Sequence, residues 1–223
     1  MIATMIFAAG LGTRMRPLTN ERPKAMVEVA GRPLIDHALD QVAGPGPTVI
    51  NTHHFADCLH TYLAGRNITL VHESPMLLET GGGLRNALPH LGDGPVLTMN
   101  ADACWTGPRA RDSLLKAWDP SRMDGLLLMV PRDRAIGPSR ASFAIGPDGR
   151  LTRDASGLIY TGAGIVRTEG LSAFGEDVFS LRDLWLAMMN RGRLFGVEHP
   201  GHWADVGTPD GIAAAEAMLA GAA

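Results

Sequence analysis

The stretch Met1-Ile2-Ala3-Thr4-Met5-Ile6-Phe7-Ala8-Ala9-Gly10-Leu11-Gly12 decides the fold. Its first eight residues form a nearly unbroken apolar run ending at Gly10, which suits a strand covered on both faces, as in a parallel sheet. From there apolar runs alternate with helical patterns. Pro33–Ala43 opens on Pro and places Leu34, Ile35, Ala38, Leu39 and Val42 on one face. Thr48–Asn51 reads as a second strand, Phe55–Leu63 as a helix and Ile68–His72 as a third strand. Gly83–Leu91 reads as a helix, and Val96–Met99 as a fourth strand ending at Asn100 and Asp102. This alternation predicts an α/β domain with a mainly parallel sheet and right-handed crossovers. The second half differs. Ala141–Ile145 and Arg150–Thr152 flank the hairpin signal Pro147-Asp148-Gly149, and Gly157–Val166 is a further apolar run. Ser180–Arg191 reads as a helix capped by Ser180, and Thr208-Pro209 opens a last helix reaching about Leu219.

Composition narrows the functional classes. The chain has 223 residues, of which 45% are hydrophobic, enough for one sizeable core. With 20 basic and 23 acidic residues the net charge is −3, and no Lys/Arg run offers a field for nucleic acid. No apolar stretch approaches the roughly 18 residues of a membrane span, and the opening run lacks the basic flank of a signal peptide. Two cysteines, Cys58 and Cys104, form no disulfide framework and fit a reducing cytoplasm. They read as buried small residues. His53-His54 and His199-x-x-His202 lack the Cys or carboxylate partners of a zinc set and read as solvated or core histidines.

Four segments carry chemistry. Ala8-Ala9-Gly10-Leu11-Gly12-Thr13-Arg14-Met15-Arg16-Pro17-Leu18-Thr19 follows the first strand, where ligands bind in open α/β sheets. Gly10 and Gly12 let the backbone approach an anion, and Arg14 and Arg16 can bond phosphate oxygens. A plain strand–helix turn is the alternative. The dinucleotide fingerprint fails at Met15, and no Walker A loop is present. Lys24, the only lysine before residue 116, follows Pro23. It suits a phosphate whose charge rises in a transition state, or a solvated loop. Asp102 and Asp205 each sit at the end of an apolar element. Such carboxylates suit Mg²⁺, which takes one or two carboxylates with phosphate oxygens and water. A turn at Asp102 and a helix cap at Asp205 are the alternatives. Glu79-Thr80-Gly81-Gly82-Gly83 reads as close backbone approach, a flat base against the glycines, or as a loose loop.

Together these segments resemble the sugar-phosphate nucleotidyltransferase family: A-A-G-x-G-T-R-[LM]-x-P-L-T at Ala8–Thr19, P-K-[PA]-[ML] at Pro23–Met26, L-x-T-x-G-[AG]-[LI] at Leu78–Leu84, N-G-D at Asn100–Asp102 and W-x-D-[VI]-G-[TK] at Trp203–Thr208. The resemblance runs from residue 2 to about 216 and lies closest to the N-acetylmuramate 1-phosphate uridylyltransferases of peptidoglycan recycling, with mannose-1-phosphate guanylyltransferases next. It implies a Rossmann-like, mainly parallel mixed sheet flanked by helices, of the GT-A-like kind, with a small β-hairpin lobe on the sugar side. It implies one domain over 1–223, with a nucleotide-binding half (1–120) and a sugar-binding half (121–223), without the extension of larger relatives. The implied reaction joins a nucleoside triphosphate, UTP favoured, to a sugar 1-phosphate and releases pyrophosphate.

The resemblance also assigns residues. Ala8, Ala9, Gly10, Gly12, Thr13 and Arg14 would cradle the triphosphate, with Arg14 and Lys24 catalytic. Glu79, Thr80 and Gly81 would lie near the base, Asn51, Tyr160, Thr161 and Gly162 near the sugar, and Asp102 and Asp205 on Mg²⁺. A cytoplasmic monomer or small homo-oligomer is implied. Two departures stand out: Ala101 replaces the Gly of N-G-D, and the Glu-Lys-Pro segment of hexose-type relatives is missing. A non-catalytic nucleotide-sugar-binding regulatory protein is the reading from another class, and the joint presence of Arg14, Lys24, Asp102 and Asp205 speaks against it.

Overall fold

The structure, a computed structural model, describes residues 1–137 and 141–222. In chain order it begins with β1 (Ala3–Phe7), the two-residue strands β2 (Glu28–Val29) and β3 (Arg32–Pro33), α1 (Leu34–Val42), β4 (Thr48–Thr52), α2 (Ala56–Leu63) and β5 (Thr69–His72). Next come α3 (Glu79–Leu91), β6 (Val96–Asn100), β7 (Ala103–Trp105), α4 (Ala110–Ala117), β8 (Gly125–Val130), β9 (Ala135–Ile136), β10 (Ala141–Ile145) and β11 (Leu151–Arg153). The chain closes with β12 (Leu158–Val166), α5 (Leu181–Asn190), β13 (Leu194–Glu198), β14 (Trp203–Asp205) and α6 (Asp210–Ala220).

One mixed sheet organises these elements in the order β11-β10-β12-β6-β1-β4-β5, with β8 paired to β12 and β13 to β8. β6, β1, β4 and β5 run parallel, and β12 meets β6 antiparallel. The opening run is apolar apart from buried Thr4 because β1 is covered on both faces. Ile6 joins Ile35, Ile50, Leu59, Leu97 and Leu114 in the core beneath α1, α2 and α4. Its neighbour Met5 points the other way and packs with Val49, Leu84, Leu127, Leu184 and Trp185 beneath α3 and α5. Alternate residues of a strand face opposite sides, so a strand between two helical layers has no polar face. A third cluster joins the glycine turn to the C-terminal elements through Met15, Val27, Leu34, Cys104, Ala204, Val206 and Ala215. Burial and the neighbouring Glu216 push the Cys104 thiol up to about 12, so it packs as a small apolar group.

The hairpin expected around Pro147-Asp148-Gly149 is present, and β10 and β11 extend the main sheet as its far edge. β7, α4, β8 and β13 are not singled out by the patterns above, although every residue of β8 is buried. Helix α3 begins at Glu79, four residues before the expected start, so Gly81, Gly82 and Gly83 lie inside it, all buried. The reason is tertiary. The segment before α5 lies on the first turn of α3, where the Gly81 and Gly82 amides both donate to the Phe179 carbonyl, at 2.9 and 3.1 Å. Arg85 holds that segment by donating to the Phe174 carbonyl at 2.6 Å and the Glu176 carbonyl at 2.7 Å.

A Cβ on Gly82 would stand 2.1 Å from the Asp177 carbonyl oxygen. Gly82→Ala removes a helix-destabilising glycine, worth up to about 1 kcal/mol, and overpacks against backbone, which costs about 1–3 kcal/mol. The clash dominates, because the Asp177 carbonyl is backbone in a segment that Arg85 holds at Phe174, Glu176 and the Asp177 side chain, and it cannot swing aside as a side chain would. Urea unfolding should show Gly82→Ala destabilised; equal or greater stability would contradict this packing.

Candidate active site

At the carboxyl ends of β1 and β6, near the change from parallel to antiparallel pairing, lies a cavity of about 350 Å³. Open α/β sheets bind ligands at such positions. Ala8, Ala9 and Gly10 form one wall, and Glu79 and Thr80 at the start of α3 another; Lys24, Asn51 and Asp102 also line it. Eight of the residues assigned above to ligands therefore share one space.

The glycine turn is built for close packing. Gly12 has a φ of +62°, and a Cβ there would meet Thr19 Cγ2 at 3.0 Å and Lys24 Cβ at 3.1 Å. Glycine thus supplies a left-handed residue and room for the lysine stem. The Thr19 hydroxyl donates to the Gly12 carbonyl at 2.8 Å and closes the turn. Gly10 meets no atom within 4 Å of its Cβ position, so its face is open. Thr13 and Arg14 are exposed on a short 3₁₀ turn pinned by buried Met15.

Lys24 follows extended Pro23, and its Nζ lies 2.7 Å from Asp102 Oδ2, both side chains being partly buried. Asp205 comes to the same place from the far end of the chain. β14 runs antiparallel to β7 with Asp205 opposite Ala103, and the Val206 amide donates to the Asp102 carbonyl at 2.9 Å. The position of a Cβ on Gly207 lies 3.0 Å from Asp205 Oδ1 and 3.4 Å from Arg14 Nη1, so the guanidinium stands beside this carboxylate. Lys24 thus pairs with Asp102, the chain at Asp205 runs alongside the Asp102 backbone, and Arg14 and Asp205 both approach Gly207. Among the described residues no group of three or more His, Cys, Asp or Glu side chains could hold an ion. Asp102 lines the cavity and Asp205 lies on the strand paired beside it, and Mg²⁺ needs only one or two such carboxylates, completing its shell with phosphate oxygens and water.

Of the other assigned residues several lie outside the cavity lining. Gly81 lies behind the cavity wall, its Cβ position 2.5 Å from the Phe179 ring. The expected approach of a base to the glycine triplet is taken by the protein's own chain. Asn51 lines the cavity with both ends of its amide committed: Oδ1 accepts from the Ala8 amide at 2.8 Å, and Nδ2 donates to Glu73 Oε1 at 2.7 Å. Thr161 is fully buried and donates to the Leu128 carbonyl at 2.7 Å, turning into the sheet. Gly162, at φ +86°, sits where the register of β12 on β8 shifts, and its Cβ position lies 2.9 Å from the Asn100 side chain. Tyr160 packs edge-on against Trp185 at 4.7 Å. Burial raises its phenol pKa, a hydrogen bond with Thr98 opposes this, and the charge of Asp102 adds to the rise. Tyr160 therefore keeps its proton at neutral pH.

Sequence patterns missed Glu73. Glu73 is 1% exposed and holds both Asn51 and the Leu78 amide. Its position directly after an apolar strand was the available signal, the same one that marks Asp102.

Comparisons with known proteins give the family and the fold. The family model described as a MobA-like NTP transferase domain matches residues 4–185. An N-acetylmuramate alpha-1-phosphate uridylyltransferase of Caulobacter vibrioides is 42% identical over 97% of this chain and 96% of its own length. A protein of the same name from Neisseria meningitidis serogroup B is 35% identical over 98% of each chain. Among solved structures, the inositol-1-phosphate CTP transferase of T. maritima superposes with a TM-score of 0.79 at 17% identity, covering 98% of this chain and 95% of its own. An apo UDP-glucose pyrophosphorylase superposes at 0.78 and 18% identity, covering 99% of each. These structures share the fold.

The strand carrying Asp205 rests on a buried histidine. His199 Nε2 lies 2.9 Å from the Thr106 carbonyl, and its ring meets Trp105 edge-on at 5.2 Å. Burial lowers its pKa, the Thr106 hydrogen bond opposes this, and Arg134 adds to the lowering. A depressed histidine pKa means that the unfolded chain binds the proton first, near pH 6.5. The neutral ring's contribution is whole above that pH and declines as pH falls below it. Unfolding free energies measured from pH 8 to 5 should drop more steeply for the native protein than for His199→Gln; parallel profiles would show that His199 is not the titrating group.

Proposed function

This chain belongs to the family of MobA-like NTP transferase domains, and on that premise we propose that it transfers uridylyl from UTP to N-acetylmuramate 1-phosphate, yielding UDP-N-acetylmuramate and pyrophosphate in the cytoplasmic recycling of peptidoglycan. The observation that carries the reaction class is the Lys24–Asp102 pair in one cavity with the open face of Gly10, with the chain at Asp205 hydrogen-bonded to the Asp102 backbone. The substrate pair rests on the two relatives of that name, which match the chain over nearly its whole length.

The nucleophile is a phosphate oxygen of the sugar 1-phosphate, already anionic, so no strong general base is needed. That oxygen attacks the α-phosphorus in line and pyrophosphate leaves. The protein aligns the two anions and stabilises charge that grows on the α-phosphate. The open backbone at Gly10 receives phosphate oxygens, and exposed Arg14 reaches them from the 3₁₀ turn. Asp102 and Asp205 would hold Mg²⁺. When bound, the ion neutralises charge on the triphosphate. Lys24 and Asp102 satisfy each other in the absence of ligand. With the nucleotide present Lys24 turns to the phosphate, so neither charge is left buried and alone.

Among the described residues no helix is long and apolar enough to cross a membrane. Lys24→Ala should lower kcat by about 10²–10³-fold, the scale of losing one strong electrostatic contact at the reacting group. Turnover within a factor of two of the native enzyme would remove Lys24 from the chemistry. Pyrophosphate release across a matrix of UTP, GTP, CTP and dTTP against N-acetylmuramate, glucose and mannose 1-phosphates should peak at UTP with N-acetylmuramate 1-phosphate. A maximum at GTP with mannose 1-phosphate would replace the substrate assignment and keep the reaction class.

A further inference from the structure

Two walls of the cavity are joined beneath its floor by a continuous chain of buried hydrogen bonds. The Ala8 amide donates to Asn51 Oδ1 at 2.8 Å, Asn51 Nδ2 donates to Glu73 Oε1 at 2.7 Å, and the Leu78 amide donates to Glu73 Oε2 at 2.8 Å. Ala8 belongs to the glycine turn, and Leu78 immediately precedes Glu79 and Thr80 on the opposite wall. We propose that Glu73 is a positioning residue, whose carboxylate sets the spacing between the phosphate turn and the α3 wall and thereby the affinity for the nucleotide.

Three features single out a carboxylate here. Glu73 is 1% exposed, and among the described residues no ion pair includes it. Burying an unpaired carboxylate is costly, so this position is under a strong constraint. Both its oxygens face donors, so an amide side chain would set an N–H against an N–H at one of them. The third glycine of the triplet also answers to it: a Cβ on Gly83 would stand 2.6 Å from Glu73 Oε1 and 2.8 Å from Asn51 Nδ2. Downstream, Glu79 lies on the cavity wall at a φ of +59°. A non-glycine residue in that region is strained and persists only where its flanks are fixed. Glu73 fixes one flank through Leu78. Thr80 fixes the other, its hydroxyl accepting from the Leu181 amide at 2.9 Å.

The direction of the middle bond supplies a test by polarity exchange. Glu73→Gln places two N–H groups face to face, and Asn51→Asp places two carboxylates face to face. In the double variant the new aspartate accepts from Ala8 and from the new amide, whose oxygen still accepts from Leu78. All three bonds return with the middle one reversed.

Amide hydrogen exchange over residues 74–84, measured on the full chain without ligand, reads the positioning directly. UTP dissociation constants and separate KM values for UTP and N-acetylmuramate 1-phosphate read its consequence, which rests on the function proposed above. Each single change should speed exchange there and raise the UTP Kd and KM about tenfold, the loss of one charge-assisted bond. In Glu73→Gln, whose changed side chain does not line the cavity, the sugar-phosphate KM should stay within about twofold, and the double variant should return the exchange over 74–84 and the UTP Kd to within about threefold of native. Failure of the double variant to recover, or equal rises in both KM values in Glu73→Gln, would overturn the assignment. If a single variant does not fold, the double variant decides: folded and protected from exchange supports it, unfolded or unprotected overturns it. A native protein that binds no UTP would defeat the functional reading, and exchange in the double variant would still decide the positioning role.

Discussion

β14 lies antiparallel to β7, with Asp205 opposite Ala103 and the Val206 amide on the Asp102 carbonyl. This short ladder brings two points of the chain, about a hundred residues apart, to one edge of the cavity. Its residues leave little freedom. Trp203 and Trp105 meet edge-on, Cys104 and Ala204 are fully buried, and Val206 packs into the cluster that also holds Met15. The same cluster therefore locates the C-terminal aspartate and the base of the glycine turn. Neither carboxylate could be placed by local structure alone. Asp205 ends the three-residue β14 and Asp102 immediately precedes the three-residue β7, and only the pairing of these two strands fixes where the residues stand.

The sheet explains why the cavity opens where it does. β6 is the pivot: it runs parallel to β1 on one side and antiparallel to β12 on the other. Crossover helices cover the faces of the parallel half and leave a gap beyond the strand ends. The chain fills that gap with the turn after β1, the turn after β6 and the start of α3. Each contributes a different chemistry: open backbone at Gly10, a carboxylate at Asp102, and polar side chains at Glu79 and Thr80.

Glycine is used in two distinct ways around this gap. At Gly12 it allows a left-handed turn and admits the stem of Lys24. In α3 the three glycines let helix backbone touch other parts of the same chain: Phe179, Asp177, and the Asn51–Glu73 pair. They sit one layer behind the ligand-facing surface and hold it in place. A buried carboxylate with only neutral donors around it is part of that support, which makes the wall of the cavity sensitive to a residue that never lines it.

The sequence by itself determined the α/β class, the parallel half of the sheet and the turn after β1, because these depend on short-range regularities. A strand covered on both faces must be apolar throughout, an amphipathic helix must repeat every three to four residues, and a tight turn needs glycine. Arg14, Lys24, Asp102 and Asp205 stood out for a similar reason, as charged residues interrupting otherwise apolar or regular segments. Tertiary structure alone decided which of them meet, and it reassigned others. Gly81 and Thr161 carry residue types suited to ligands, yet their contacts are taken by Phe179 and by the Leu128 carbonyl. Residue type limits what a group can bind, while the folded backbone determines what lies within 3 Å of it. That second quantity depends on pairings between residues too far apart in the chain for any local pattern to record.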